Sequence, residues 1–450
     1  MKTLKTGLVF FPAFDWSISP THPEREERLL YTRDQLFEEG IMDLPEIEEF
    51  APRLALKKDV ARVHFCVPQV DYQVLKAHLI AAGASILLGE KVYRKEIKNG
   101  FALVRPPGHH AMRVVHGNRG FCNINNEAIV VEYLRHHYGI KKIAIIDTDV
   151  HHGDGTQDIF YHDPDVLYIS FHQDGRTIFP GTGFIPELGG PTAFARTLNI
   201  PLPLGTTDEE LHFILDQLIL PVVQEFKPDF IINSAGQDNH YTDPLGSICM
   251  TARGYASLNE KLKPDLAVLE GGYAIETALP YVNMAIILAM AGQDYSYVQE
   301  PQPPQIRKST KRFNEIKEIV TQLKDIWRNK DKINLNQIFG SEEYFQRKKS
   351  IYYDTDGFHE EQVERVKRCK ECPGYITIDS KAVHSWRDSV KVFCITLPIT
   401  ACSSCQNEAY ENYSDARNNR RYDYVYIQDK VKDVFISYNR KTKQELYLED

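Results

Sequence analysis

Short apolar runs alternate with longer amphipathic segments over roughly the first 300 residues of the chain. Short runs that are rich in Val and Ile predict buried strands, whereas apolar residues spaced three and four apart predict helices. The predicted strands are residues 6–11, 101–104, 142–147, 166–170, 197–202, 229–234 and 266–270. The predicted helices are residues 71–89, 126–138, 208–226 and 252–262. Because such strands are covered by helices on both faces, we predict an α/β fold with a mostly parallel central sheet and right-handed connections.

The pattern changes near residue 300, where a Pro/Gln-rich run predicts a linker. Residues 308–328 have the charged amphipathic pattern of a surface helix docked on the core. The tail that follows is rich in Tyr and in charged residues, and it contains strand-like runs at 390–397, 422–427 and 434–438. We therefore predict a main domain at residues 1–300, a linker with an amphipathic helix at 301–341, and a small cysteine-containing module at 342–450.

Composition narrows the classes of function. The 450-residue chain has a formal net charge of −9, which argues against a general nucleic-acid binder. No apolar run is long enough to span a bilayer, and the run at 8–14 is interrupted by Pro12, so it indicates a first strand rather than a signal peptide. The cysteines are scattered and no secretory signal precedes them. This favours a reducing compartment, and we expect a cytoplasmic protein, or a nuclear one in a eukaryote.

Carboxylates and imidazoles crowd the end of the strand predicted at 142–147, where the chain reads Asp-Thr-Asp-Val-His-His-Gly-Asp-Gly-Thr. Ligands of α/β sheets bind beyond the carboxyl ends of the strands. Asp149 and His151 are two residues apart, so they point to one side in extended backbone. Asp238 follows a second predicted strand and is our third candidate ligand. Three protein ligands and an open position for water are typical of a catalytic zinc site.

Two adjacent histidines, His109 and His110, lie on a Pro/Gly loop that follows another predicted strand. Asp147 and Asp154 can pair with them, which would fix the tautomer of each ring and raise its basicity. Tyr273 ends the motif Glu-Gly-Gly-Tyr after the last strong strand, where its hydroxyl can donate to a developing oxyanion. The pattern therefore favours hydrolytic chemistry.

Phe121 and Phe179 lie on predicted loops next to glycines. Two aromatic rings at such positions can wall a narrow tunnel for an aliphatic chain, or can serve as ordinary hydrophobic anchors.

The motifs together resemble those of the zinc-dependent histone deacetylase and acetylpolyamine amidohydrolase superfamily, which has an arginase-like three-layer fold. The resemblance covers roughly residues 5–295. It rests on Arg-Pro-Pro-Gly-His-His-Ala, Asp-x-Asp-x-His-His-Gly-Asp-Gly-Thr, Phe-Pro-Gly-Thr-Gly, Asp-Pro-Leu-Gly and Glu-Gly-Gly-Tyr, which occur in the family's order. The Pro-Pro-Gly form of the histidine loop resembles the class II and bacterial branch.

The resemblance implies a role for each motif residue. Asp149, His151 and Asp238 would bind the catalytic zinc ion, and Tyr273 would polarise the acyl carbonyl of the substrate. His110, paired with Asp154, would be the general base. His109, paired with Asp147, would tune the charge of the site or share in proton transfer.

The resemblance also implies a tunnel for acyl-lysine, flanked by Phe121 and Phe179. Arg28 falls where the family has an arginine below the site, near the acetate product. Leu245 occupies the position of an acidic gatekeeper in a polyamine-selective member, and Leu cannot attract a second ammonium group. The loop at 66–72 has no clear match to the family's aspartate that binds the substrate backbone, and Asp71 is the nearest candidate.

The family also holds monovalent cations near the zinc loop, which implies a K⁺ site in this chain. Its ligands would be the backbone carbonyls of Asp147, Asp149, His151 and Phe171 and the hydroxyl of Ser170.

Four cysteines of the tail form two Cys-x-x-Cys pairs, Cys369 with Cys372 and Cys402 with Cys405. Pairs with this spacing are typical of structural zinc sites of the ribbon type, which contribute folding energy. The alternatives are unconnected thiols or a redox pair. Cys394 lies between the two pairs and has the position of a residue packed in a strand.

The leading hypothesis is a zinc-dependent hydrolase that removes the acyl group of N6-acetyl-lysine, or of a related acyl-lysine, in proteins such as histones. The expected partner is an acylated protein, with no nucleic acid and no membrane. One alternative is an acetylpolyamine or small-amide amidohydrolase that has the same site. Two more are an inactive binding scaffold and an arginase-like dimanganese hydrolase.

Overall fold

A parallel sheet forms the centre of the N-terminal domain in the computed structural model, which describes residues 4–301, 307–384 and 389–448. In chain order, the first ten strands are β1 (Thr6–Phe11), β2 (Ile47–Glu49), β3 (Phe65–Cys66), β4 (Asn99–Val104), β5 (Val114–Val115), β6 (Ile143–Asp147), β7 (Val166–Gln173), β8 (Thr197–Leu202), β9 (Phe230–Ala235) and β10 (Leu266–Leu269). Strands β3 and β5 pair with each other. The other strands form the central sheet in the order β2-β1-β4-β10-β9-β6-β7-β8, and every neighbouring pair is parallel.

The helices of the described residues are α1 (Leu30–Glu38), α2 (Lys57–Ala61), α3 (Val70–Gln73), α4 (Lys76–Tyr93), α5 (Asn126–Tyr138), α6 (Asp154–Phe160), α7 (Asp208–Ile214), α8 (Leu220–Phe226), α9 (Ala252–Leu262), α10 (Leu279–Ala291), α11 (Thr310–Asn329), α12 (Leu335–Phe339) and α13 (Ser403–Asn418). Short 3₁₀ turns occur at Glu26–Leu29, Ile41–Asp43 and Lys330–Lys332. None of these helices is long and apolar enough to cross a membrane.

Side chains of β6 alternate between two hydrophobic cores, one on each face of the sheet. Ala144 and Ile146 pack in the core that contains α9, α10 and α11. Ile143 and Ile145 pack in the core formed with α4 and α5. A strand that is buried on both faces must be apolar along its whole length, which is the pattern seen in the sequence. The predicted three-layer α/β fold is therefore confirmed.

Two helices differ from the predicted pattern. The stretch predicted as one helix at 71–89 is divided into α3 and α4. The stretch predicted at 208–226 contains a π-helical turn, Leu215–Ile219, between α7 and α8. Pro221 lies in the first turn of α8 and has no N–H to donate, so the regular hydrogen-bond ladder is interrupted there.

The C-terminal module is built on a seven-stranded mixed sheet and is larger than the tail pattern predicted. Its strands are β11 (Tyr344–Tyr353), β12 (Phe358–Lys367), β13 (Ile376–His384), β14 (Val390–Leu397), β15 (Tyr424–Asp429), β16 (Val434–Asn439) and β17 (Gln444–Tyr447), paired in chain order. Helix α13 connects the one parallel pair of this sheet, β14 and β15. The sequence pattern predicted β14, β15 and β16 but not β11, β12, β13 or β17. In β12 the inward side chains include the polar residues Glu360, Gln362 and Glu364, so the usual alternation of apolar and polar residues is absent.

These polar side chains face the N-terminal domain, where each carboxylate has a partner. The Glu364 Oε1 atom lies 2.8 Å from Nε2 of His162, and Glu360 accepts a hydrogen bond from Ser380, whose hydroxyl contacts His116. Tyr426 donates to the carbonyls of Cys66 and Pro68 at 3.1 and 2.8 Å. The module is therefore docked through buried polar contacts.

The amphipathic helix is confirmed as α11. Its side chains Ile316, Val320, Leu323 and Trp327 are buried in the core of the N-terminal domain. Most of the Pro/Gln-rich linker lies outside the described residues. The division at residues 300 and 341 stays a prediction.

We predict that His64 makes the unfolding free energy depend on pH. Burial lowers the pKa of His64 to about 3, while its Nδ1 atom bonds Met112 and its Nε2 atom accepts from the N–H of Asn125. Below pH 6.5 the unfolded chain takes up a proton that the folded chain excludes, so stability should fall by about 1.4 kcal/mol per pH unit through this residue. Urea unfolding between pH 7 and 5 should give a shallower slope for His64→Asn, even though this variant is less stable at pH 7. Equal slopes would contradict the prediction.

Candidate active site

The candidate residues meet at the carboxyl edge of the central sheet. Asp149 and His151 follow β6, and Asp238 follows β9, the neighbouring strand. The His109–His110 loop follows β4, and Tyr273 follows β10. Because all these strands are parallel, their loops leave the sheet on the same side.

Three donor atoms of Asp149, His151 and Asp238 converge on one point. The Nδ1 atom of His151 lies 3.1 Å from Oδ1 of Asp149 and 3.1 Å from Oδ2 of Asp238. The other two carboxylate oxygens accept hydrogen bonds from the N–H groups of Gly271 and Val150, at 2.7 and 2.8 Å. Ligands of one tetrahedral ion with bonds of about 2.0–2.1 Å are separated by about 3.3 Å. The spacing therefore suits a single small cation.

The electrostatics of this group also suit a cation. Asp149 and Asp238 are both completely buried. Burial, together with the charge of Asp149, raises the pKa of Asp238 to about 7. Two buried carboxylates this close repel each other, and a divalent ion between them would stabilise both charges.

The two histidines of the loop form separate pairs with the two predicted aspartates. Nδ1 of His109 lies 3.2 Å from Oδ2 of Asp147, which also accepts a hydrogen bond from the Tyr168 hydroxyl at 2.8 Å. Nδ1 of His110 lies 2.9 Å from Oδ1 of Asp154. In each pair the Nε2 atom is the nitrogen that remains for chemistry.

The two pairs differ in charge. Burial opposes protonation of His109, but the carboxylates of Asp149 and Asp147 outweigh it and raise the pKa of this ring to about 10. Burial, reinforced by the charge on His109, holds the pKa of His110 well below its usual value. The arrangement thus places a neutral imidazole, able to accept a proton, beside a cationic one.

Two residues that were not predicted from the sequence, Arg119 and Glu270, hold the His109–His110 loop in place. Arg119 binds Asp154 with both terminal nitrogens, at 2.7 and 2.6 Å, and so holds the partner of His110. Glu270 accepts from the N–H groups of Gly108 and His109 at 2.7 and 2.9 Å. Glu270 belongs to the Glu-Gly-Gly-Tyr motif, which was the available signal. Nothing local to Arg119 indicated its partner, which is 35 residues away.

A cavity of about 400 Å³ leads to these residues. Its lining includes Phe121, Phe179, Leu245, Tyr273 and the proposed metal ligand His151. The Phe179 and His110 rings meet edge-on with their centroids 5.0 Å apart, and the Phe121 and Tyr273 rings do so with their centroids 5.5 Å apart. The structure therefore brings the two predicted wall residues to one pocket.

Tyr273 is held as a neutral phenol above a buried arginine. Burial raises the pKa of Tyr273 well above its usual value. The guanidinium of Arg28 lies 4.9 Å from the centre of the Tyr273 ring. Arg28 also binds Glu24 at 2.7 Å and the carbonyls of Gly272 and Glu270. Arg28 thus supports the segment that carries Tyr273 from below.

The predicted K⁺ ligands lie around the ends of β6 and β7. Asp147 is paired in register with Ser170, and Phe171 is the next residue of β7. The Ser170 hydroxyl lies 2.8 Å from Nδ1 of His172. The K⁺ site stays a prediction. Asp71 forms an ion pair with Lys57 and is not among the residues that line the cavity.

The four cysteines of the two Cys-x-x-Cys pairs form a second cluster. The Sγ atoms of Cys369 and Cys402 are 3.8 Å apart, and those of Cys372 and Cys405 are 3.6 Å apart. These distances exceed a disulfide bond, and they match the separation of about 3.8 Å between thiolates bound 2.3 Å from one tetrahedral zinc ion. A hydrogen bond from the N–H of Glu371 lowers the pKa of Cys369 to about 7, whereas burial raises the pKa of Cys372 and of Cys405. Cys394 is buried in β14.

Comparison with known proteins agrees with the fold. Residues 67–290 match the family model described as "Histone deacetylase domain". A "Probable deacetylase" of Archaeoglobus fulgidus is 46% identical over 325 residues, which cover 66% of this chain and 89% of that protein. "Histone deacetylase 14, chloroplastic" of Arabidopsis thaliana is 43% identical over 213 residues, which cover 44% of this chain and 49% of that protein.

Two further comparisons concern substrate and structure. "Polyamine deacetylase HDAC10" of Danio rerio is 35% identical over 268 residues, covering 56% of this chain and 38% of that protein. The solved structure titled "Crystal Structure of HDA15 HD domain" superposes with a TM-score of 0.63 at 29% identity and covers 75% of this chain and 99% of that one. The chain therefore belongs to the histone deacetylase family.

Proposed function

We propose that this protein removes the acyl group of N6-acetyl-lysine, or of a related acyl-lysine, in protein substrates, with a zinc ion held by Asp149, His151 and Asp238. The observation that carries the proposal is the convergence of these three donors beneath a cavity lined by Phe121 and Phe179. An acyl-lysine side chain is a thin aliphatic chain that ends in an amide, which suits a pocket with apolar walls and a polar floor.

Bound at this site, a zinc ion would supply Lewis acidity to the acyl carbonyl and to the attacking water. His110 accepts the proton of that water at Nε2, because its Nδ1 atom is occupied by Asp154. The same imidazole then donates the proton to the leaving amine. His109 lies between two carboxylates, 3.2 Å from Oδ2 of Asp147 and 3.8 Å from Oδ1 of Asp149, and their charges raise its pKa and so favour its cationic form.

Tyr273 donates its hydroxyl proton in a hydrogen bond to the oxyanion that forms on the acyl carbon. A phenol with a raised pKa stays protonated through the reaction, so it acts as a donor and not as a base. One such donor contributes about 3–4 kcal/mol to the transition state in comparable sites.

Leu245 supports an acyl-lysine substrate over an acetylpolyamine. This side chain lines the cavity and offers no charge to a second ammonium group. The polyamine alternative stays open because a relative of this chain is called a polyamine deacetylase. Relative turnover of an acetyl-lysine peptide and of N-acetylputrescine discriminates between the two substrates.

A dimanganese hydrolase and an inactive scaffold have less support. In the described part of the chain, two groups of three or more His, Cys, Asp or Glu residues are close enough together to hold a metal ion. One consists of Asp149, His151 and Asp238, and the other of the four cysteines of the two Cys-x-x-Cys pairs. One set in the active site favours a single ion over a dimanganese centre. The complete set of ligands, bases and Tyr273 argues against a scaffold without activity.

We also propose that Cys369, Cys372, Cys402 and Cys405 bind a structural zinc ion, and that K⁺ binds at the predicted carbonyls near Ser170. The cysteines connect the segment after β12 to the first turn of α13. A metal there would tie the helix to the sheet and stabilise the module.

We predict that Tyr273→Phe lowers kcat for an acetyl-lysine peptide about 100- to 1,000-fold, because the oxyanion loses its donor. Metal content and thermal stability should match those of the wild type, since the ring and its contacts remain. Steady-state kinetics with metal analysis test this, and wild-type turnover would remove Tyr273 from the mechanism.

We predict that Gly271→Ala abolishes metal binding at the active site. A Cβ atom at Gly271 would lie 2.1 Å from Oδ2 of Asp238 and 2.6 Å from Oδ2 of Asp149, so both ligands would have to move. The purified variant should lose one metal equivalent by elemental analysis and retain the equivalent held by the cysteines. Full occupancy of both sites would show that the three donors are not the ligands.

We predict that Cys405→Ser removes the other metal equivalent and lowers the melting temperature. Replacing the buried Cys394 with Ala serves as the matched control, since it removes a thiol without changing metal content. Elemental analysis and thermal unfolding in the presence and absence of a chelator provide the measurement. Unchanged zinc content in Cys405→Ser would favour unconnected thiols.

A further inference from the structure

The turn between β11 and β12 brings the C-terminal module to the mouth of the active-site cavity. Asp354, in this turn, lines the same cavity as Phe121, Leu245 and Tyr273. The turn lies outside the residues that match the deacetylase domain, 67–290. The cavity is thus built from two parts of the chain.

The turn is fastened to the loop that carries Phe121. Oδ1 of Asp354 accepts from the N–H of Gly120 at 2.8 Å, and Oδ2 of Asp356 accepts from the N–H of Asn118 at 2.7 Å. Arg119, between them, donates from Nε to the carbonyl of Tyr352 at 3.0 Å. Three contacts over three consecutive residues fix the position of the turn against the cavity.

The base of the turn is anchored as well. Tyr353 is buried, and its hydroxyl bonds the carbonyl of Val114 at 3.1 Å and Glu360 at 2.9 Å. Ile351 and Met112 pack against the same ring. Asp354 is therefore presented by a supported turn and not by a free loop.

The Oδ2 atom of Asp354 is available to pair with a charged group of a ligand, because the Gly120 N–H bonds to Oδ1. Within the described residues its hydrogen bond uses Oδ1, and the side chain is exposed. The nearby cation Arg119 is already paired with both oxygens of Asp154. Asp354 therefore adds negative charge to a rim where Phe179 and Leu245 supply apolar surface, and such a rim concentrates cations.

We propose that Asp354 is a specificity-determining residue, supplied by the C-terminal module, that pairs with a positive charge on the substrate outside the acylated amine. This inference rests on the proposed deacylase function and specifies its substrate class. The charge belongs to a Lys or Arg side chain beside acyl-lysine in a peptide. The second ammonium of an acylated polyamine has the same chemistry, and the experiment separates the two sources.

The experiment compares full-length wild type, Asp354→Asn and Glu361→Gln on three substrates. The substrates are an acetyl-lysine peptide with Arg on both sides, the same peptide with Gln, and N-acetylputrescine. Asn at position 354 keeps an oxygen for the Gly120 N–H and removes the charge. Glu361 is exposed on β12, away from the cavity. Glu361→Gln therefore removes one negative charge, as Asp354→Asn does, and serves as the control.

Asp354→Asn should raise KM for the Arg peptide about tenfold and leave kcat for this peptide nearly unchanged. Both KM and kcat for the Gln peptide should stay nearly the same. The wild-type preference for the Arg peptide should weaken with added salt, since the charge pair is exposed. Asp354→Lys should favour a peptide with Glu on both sides. Glu361→Gln should behave as the wild type.

Three results would overturn the inference: measurable and equal turnover of the Arg and Gln peptides by the wild type, an equal loss of kcat on all substrates in Asp354→Asn, or the same KM change in Glu361→Gln. Strong turnover of N-acetylputrescine alone, lost in Asp354→Asn, would support the charge role and assign it to polyamines. If the wild type cleaves none of these substrates, the proposed function fails. The role of Asp354 is then tested by measuring the affinity of the metal-loaded protein for the Arg and Gln peptides, and equal affinities would overturn that role.

Discussion

The repulsion between two buried carboxylates is the constraint on which the active site depends. Asp149 and Asp238 come from neighbouring strands and approach the same imidazole of His151. The second oxygen of each carboxylate accepts a hydrogen bond from a backbone N–H, so the orientation of both is fixed before any ion binds. The cost of burying such charges without a counter-ion is high, and a cation at this point is the natural compensation.

The pKa values of the two loop histidines are shifted in opposite directions. His109 lies nearer the carboxylates of Asp147 and Asp149 and becomes cationic. Burial, reinforced by the charge on His109, holds the pKa of His110 well below its usual value and favours its neutral form. Two residues adjacent in sequence thus acquire opposite protonation states because their environments differ.

The C-terminal module completes the surroundings of the site. Its sheet faces the N-terminal domain with the buried carboxylates of Glu360 and Glu364, each close to a histidine across the contact. A carboxylate buried in this way is stable only while its partner is present, so the contact requires one relative position of the two parts. That position brings the β11–β12 turn to Gly120 and connects the module to the wall of the cavity.

The sequence alone predicted seven of the eight strands of the central sheet, its two covered faces and the three metal-ligand candidates, because apolar runs on parallel strands and acids at their ends are local signals. It indicated that four cysteines belong together for the same reason, since their spacing is local. Tertiary structure decided that the pKa values of His109 and His110 shift in opposite directions, because these shifts depend on burial and on the distance of each ring to Asp147 and Asp149. It also decided that Asp354, some 200 residues along the chain from the zinc loop, lies at the cavity mouth. Long-range contacts of this kind arise from packing between the two domains, and no residue near Asp354 in the sequence encodes them by itself.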